Sequence, residues 1–143
     1  MRRAAAALMV AVLAAAGVAL AAGHRHVRPS VRVGSARVTG GALRFALDVS
    51  FRAPTGLRGA SPCSGRVVAR ARHRRWSGPL GRGPAGCRAL VAGHLGSQMA
   101  GHRVSFRISF RGNRRVAAFA VTRRLTLLPA TLPKPLNTPP PGY

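Results

Sequence analysis

The chain has 143 residues, of which 24 are Lys or Arg and only one is acidic, for a formal net charge of +23. Asp48 is the one carboxylate side chain, so chemistry that needs two acids held close together is excluded. A Ser-His-Asp arrangement would have to recruit Asp48 from the wet side of a strand, and no G-x-S-x-G elbow occurs. No catalytic residue or cofactor follows from the composition, and a non-enzyme is expected.

Met1-Arg2-Arg3 opens the chain, and Ala4 to Ala22 carries no charge. A short positive start, an apolar stretch and small residues at its end make the pattern of a secretory signal peptide. Ala19-Leu20-Ala21 supplies an A-x-A site, which places cleavage after Ala21, with Ala22 as the next choice. An uncleaved anchor helix is the alternative, disfavoured because the stretch is mostly alanine. Losing Arg2 and Arg3 with the leader leaves 22 basic residues against one acid, or +21. The product is expected to be secreted, extracellular or envelope-associated. Cleavage after Ala21 would expose Ala22-Gly23-His24. Its free amine, two amides and imidazole form the square-planar nitrogen set suited to Cu(II) or Ni(II). Residues 22–29 otherwise read as a loose mature terminus.

Val31-Arg32-Val33 and Arg37-Val38 suggest a first strand, with Gly40-Gly41 as the turn after it. Leu43, Phe45, Leu47, Val49 and Phe51 then alternate with Arg44, Ala46, Asp48, Ser50 and Arg52. That period of two marks a strand with one buried and one wet face. Shorter runs follow at Arg66 to Arg72 and Arg88 to Leu95. Val104, Phe106, Ile108 and Phe110 alternate with Arg103, Ser105, Arg107, Ser109 and Arg111, and Gly112-Asn113 reads as a turn into a long strand from Val116 to Leu127. No helix-period face follows the leader. The expected fold is all-β: a small antiparallel β-sandwich of about six or seven strands over residues 30–128, preceded by a signal-peptide helix. Residues 129–143 hold six prolines and read as an extended tail. Cys63 and Cys87 are the only cysteines, and in an oxidising compartment they are expected to form one disulfide.

Cys63-Ser64-Gly65-Arg66-Val67 followed by Cys87 resembles a C-x-G-x-V…C pattern of secreted immunoglobulin-like domains in high-GC Gram-positive bacteria. The run Phe106 to Asn113 is similar to the late hairpin of the same domains. Ala89 departs from the pattern, which commonly has an aromatic residue two positions after the second cysteine. The resemblance implies an immunoglobulin-like sandwich in a surface or secreted protein, and no catalytic residues come with it.

Arginines are the remaining candidates. Arg103, Arg107 and Arg111 recur on one wet strand face, roughly 13 Å apart. Arg44 and Arg52 do the same on another strand, and Arg66, Arg70 and Arg72 on a third. Were these strands neighbours, they would form a guanidinium lattice able to hold phosphate with paired hydrogen bonds. The expected partners are anionic cell-envelope polymers or an acidic lipid surface, bound by a monomer. Nucleic acid is less favoured, because single-strand binding wants exposed aromatics among the basic residues and only Trp76 is placed for that. A cationic factor acting on membranes or nucleic acid, and a purely structural domain whose arginines follow codon bias, are the alternatives.

Overall fold

The computed structural model describes residues 24–54 and 61–130. The expected leader, with Ala22 and Gly23 of the candidate metal terminus, and the proline-rich segment from residue 131 lie outside them. Seven antiparallel strands form one curled sheet in the order β1-β2-β5-β4-β3-β6-β7. They are β1 (Ser30–Thr39), β2 (Ala42–Phe51), β3 (Arg66–Ala71), β4 (Arg74–Gly83), β5 (Gly86–Gly96), β6 (Arg103–Phe110) and β7 (Phe119–Thr126). One 3-10 turn, Ser97–Met99, follows β5, and among the described residues there is no α-helix. No helix there is long and apolar enough to cross a membrane.

The alternating strands behave as their period demands. Leu43, Phe45, Leu47, Val49 and Phe51 of β2 are buried, as are Val104, Phe106, Ile108 and Phe110 of β6. These two rows meet across the curl. Phe45 packs edge-on against Phe106 with ring centroids 5.3 Å apart, and Phe51 lies 6.4 Å from Phe110 and 5.8 Å from Phe119. Trp76 of β4 completes the cluster 5.1 Å from Phe45. The half containing β1, β2 and β5 therefore shares one apolar core with the half containing β3, β6 and β7.

β4 connects the halves. Its first part pairs with β3, Arg74 to Pro79 against Ala71 to Arg66, and its last part with β5, Leu80 to Gly83 against Ala89 to Gly86. The sequence gives no strand expectation over residues 74–83, where Gly78, Pro79 and Gly81 leave no alternation to follow. Here the same residues make the crossover possible. A Cβ on Gly78 would overlap the Leu90 carbonyl of β5, and Pro79 has no N–H to leave unpaired where the ladder passes from one neighbour to the other.

Two other boundaries differ from expectation. The first strand is continuous from Ser30 to Thr39, with a register shift between Val33 and Ser35 that the sequence shows only as a gap in the alternation. The last strand starts at Phe119, not Val116, because the preceding residues belong to a turn. In that turn Asn113 Oδ1 accepts the backbone N–H groups of Arg115 and Val116 at 2.9 and 2.8 Å, and Val116 instead bridges to Arg25. Both edges discourage pairing with other chains, β1 by its bulge and β7 by exposed Arg123 on the core-facing register opposite Phe106.

The Cys63–Cys87 disulfide is formed, with an S–S distance of 2.07 Å and Cα atoms 5.1 Å apart. It ties the segment before β3 to the start of β5. Asn113 fastens the same segment to the β6–β7 turn, donating from Nδ2 to the carbonyls of Pro62 and Ser64 at 2.9 and 3.0 Å. One amide thus serves both ends of its hydrogen-bonding capacity. Asn113→Ala is expected to cost about 2 kcal/mol, given about 1 kcal/mol or less for each of several partly exposed hydrogen bonds. The melting temperature should fall by about 10 °C, and Asn113→Asp, which keeps the acceptor and loses the donors, should lie between. A melting curve for the alanine variant superimposing on the parent's would refute this role.

Candidate anion-binding face

A strand's parity sets which side a residue faces, and strand order then sets its neighbours. On β3, Val67, Ala69 and Ala71 are buried, leaving Arg66, Val68 and Arg70 on the outer face. β4 places Arg75 opposite Arg70, and β6 places Arg107 opposite Arg70 from the other side. Arg75, Arg70 and Arg107 therefore form one row across three hydrogen-bonded strands, with neighbours separated by about 4.8 Å of backbone. Thr122 of β7 continues the row. Arg103 stands on the same outer face of β6, and Arg124 of β7 lies opposite Ser105. Like charges directly opposite each other repel, and this face carries no acidic side chain to relieve them, since Asp48 lies on β2.

Not every candidate arginine joins this row. Arg66 is partly committed, donating from Nε and Nη2 to Ser77 Oγ at 3.3 and 3.0 Å. Arg72 is not on the strand face; it sits in the β3–β4 turn with φ +54°, a left-handed conformation unusual for a long side chain. Arg111 follows the end of β6, beside a shallow hollow it shares with His24, His26 and Asn113. Arg44 and Arg52 belong to β2 and its end, on the other half of the curled sheet. There Arg44 lies between Arg37 of β1 and His94 of β5. The lattice spanning all three strands is thus two separate faces, because β2 neighbours β1 and β5 rather than β3 or β6.

Arg75 carries no alternation signal of its own, because the Gly and Pro residues of β4 hide that strand in the sequence. Arg88 was missed for a different reason. Its guanidinium grips the Asp48 carboxylate through Nε at 2.9 Å and Nη2 at 2.8 Å. This two-pronged contact, chiefly by hydrogen bonding, holds the Arg88 pKa above its ordinary value. Alternation in the sequence marks both residues as outward, but their meeting depends on the β2–β5 register. His24 is exposed, and among the described residues no three His, Cys, Asp or Glu side chains gather as a metal site. Trp76, the candidate stacking residue, packs half-buried against Phe45 and Phe106.

These features define a small, strongly cationic, disulfide-linked all-β domain. Comparison with known proteins adds no family: no family, curated protein or solved structure matches this chain.

Proposed function

We propose that the chain is a secreted or envelope-associated, non-catalytic module of immunoglobulin-like type. It binds phosphate-bearing anionic surfaces through the arginines of the β4–β3–β6 face. The observation that carries this reading is the Arg75–Arg70–Arg107 row, three mutually repelling charges in register without an acid on their face. An anionic ligand relieves that repulsion, and each planar fork can hold a phosphate oxygen pair. The inward packing of Trp76 favours phosphodiester surfaces over nucleic-acid bases, which need an exposed stacking partner. The immunoglobulin-like assignment draws support from strand order. Divided between β4 and β3 into β1-β2-β5-β4 and β3-β6-β7, the order is compatible with the ABED and CFG arrangement of a seven-stranded sandwich. The disulfide departs from that pattern, since it joins β5 to the segment ahead of β3. Its presence supports an oxidising compartment, and the blunted edge strands support a monomer.

Binding to vesicles containing an anionic phospholipid tests the reading. Replacing Arg70, Arg75 and Arg107 together by glutamine should weaken binding on the order of a hundredfold, at about 1 kcal/mol for each basic residue near an acidic surface. Replacing Arg37, Arg44 and Arg82, also exposed, removes the same charge and should cost clearly less. Equal losses from the two triple variants would reduce the effect to net charge and overturn the proposal. An anionic wall polymer used in place of vesicles identifies which phosphate surface is preferred.

A further inference from the structure

On the other half of the sheet, a cleft of about 480 Å³ opens on the outer side where β1, β2 and the β4–β5 turn converge. Four guanidinium groups line it, those of Arg28, Arg32, Arg52 and Arg88, together with the carboxylate of Asp48. Its formal charge is +3. The side chains of Arg28, Arg32 and Arg52 make no hydrogen bond or ion pair among the described residues, whereas the Arg88 guanidinium is held by Asp48 at 2.8 Å. Ser30 and Ser50, directly opposite each other on β1 and β2, contribute hydroxyls.

The placement of the acid is the informative point. Asp48 is the backbone partner of Arg32 across the β1–β2 ladder, yet its carboxylate is taken up two-pronged by Arg88 from β5. Arg32 is thereby left open. Arg88 spends its Nε and one Nη2 hydrogen on Asp48, which leaves the Nη1 hydrogens and the second Nη2 hydrogen as donors in a side chain whose orientation is already set. An oriented guanidinium loses less freedom on meeting a ligand than a mobile one. The volume lies within the range of small-molecule sites, and Pro84 and Ala85 give the cleft a less polar wall.

We infer that this cleft is a binding site for a small multiply charged phosphate group, a phosphate monoester or a diphosphate, separate from the β4–β3–β6 face. Arg32, Arg52 and Arg28 supply charge and paired donors, and Asp48 is a positioning residue that orients Arg88. A dianion or trianion matches the cleft's charge, and guanidinium forks match the tetrahedral oxygens.

Inorganic pyrophosphate titrated into the disulfide-intact chain, followed by the arginine Nε–Hε resonances, tests this. A saturable shift of Arg88 with one-to-one stoichiometry is expected. Asp48→Asn should weaken binding about tenfold, as loss of charge-assisted hydrogen bonding predicts, although it raises the net charge by one. Electrostatics without orientation predicts the opposite sign, so tighter or unchanged binding by Asp48→Asn overturns the inference. Should Asp48→Asn fail to fold, Arg32→Gln and Arg52→Gln carry the test, each expected to weaken pyrophosphate several-fold. Shifts spread evenly over all arginines without saturation, or citrate bound as tightly as pyrophosphate, also overturn it. The Arg70, Arg75 and Arg107 triple variant should leave pyrophosphate affinity unchanged, which separates failure of this site from failure of the vesicle-binding face.

Discussion

Phe106→Ala should destabilise the domain by about 4 kcal/mol, within the usual range for emptying a buried phenylalanine site. Phe106 is 0% exposed and lies where the two halves of the curled sheet meet, in contact with Phe45 and Trp76. Neither neighbour can readily move in to fill the space. Phe45 and Trp76 already occupy the room above Gly93, where a Cβ would come within 2.6 Å of the Phe45 ring and 2.8 Å of the indole. Collapse into the cavity would pull both rings off that strand, so most of the cavity cost should remain. Chemical unfolding followed by Trp76 fluorescence measures the loss directly. Phe106→Leu, which keeps most of the volume, should recover more than half of it. A deficit under about 1 kcal/mol for the alanine variant would mean that the halves are not joined through this residue.

Replacing both cysteines by serine should cost about 3.5 kcal/mol. Cys63 and Cys87 are 24 positions apart, and closing a loop of that size removes about that much entropy, expressed as free energy at room temperature, from the unfolded chain. For a domain of this size the melting temperature should fall by about 15–25 °C. The cost should be largely recovered if the loop is closed by other means, and it should grow at low ionic strength. The second effect follows from charge: a chain with 24 basic residues and one acid repels itself most strongly when compact and unscreened. Melting with and without reductant at two salt concentrations tests the cost of opening the loop and its salt dependence. A reduced protein that melts within a few degrees of the oxidised one would show that the Asn113 hydrogen bonds to Pro62 and Ser64 hold the segment without the disulfide.

The strands with strict alternation were legible because each has one face in the core and one in water. In β2 and β6 a shift by a single residue would bury arginines, so the pattern specifies the parity. β4 was illegible because its Gly and Pro residues serve a close crossing between halves, a tertiary demand that mimics the local signature of a turn. The start of β7 was blurred in the same way, since Val116 is apolar and buried but satisfies its backbone through the Asn113 turn and Arg25.

The candidate site divides along the same line. Parity alone marked Arg44, Arg66, Arg70, Arg103 and Arg107 as outward, and it marked Asp48 as a wet residue. The sequence by itself determined the all-β class, the pairing of the two cysteines and an excess of outward guanidinium groups, since these depend on local period and on counts. Tertiary structure alone decided that Arg75, Arg70 and Arg107 share one row while Arg44 and Arg52 face elsewhere, and that Asp48 holds Arg88 rather than Arg32. The physical reason is that a strand's neighbours are chosen by long-range register, and a residue's charge acts only on what that register brings beside it.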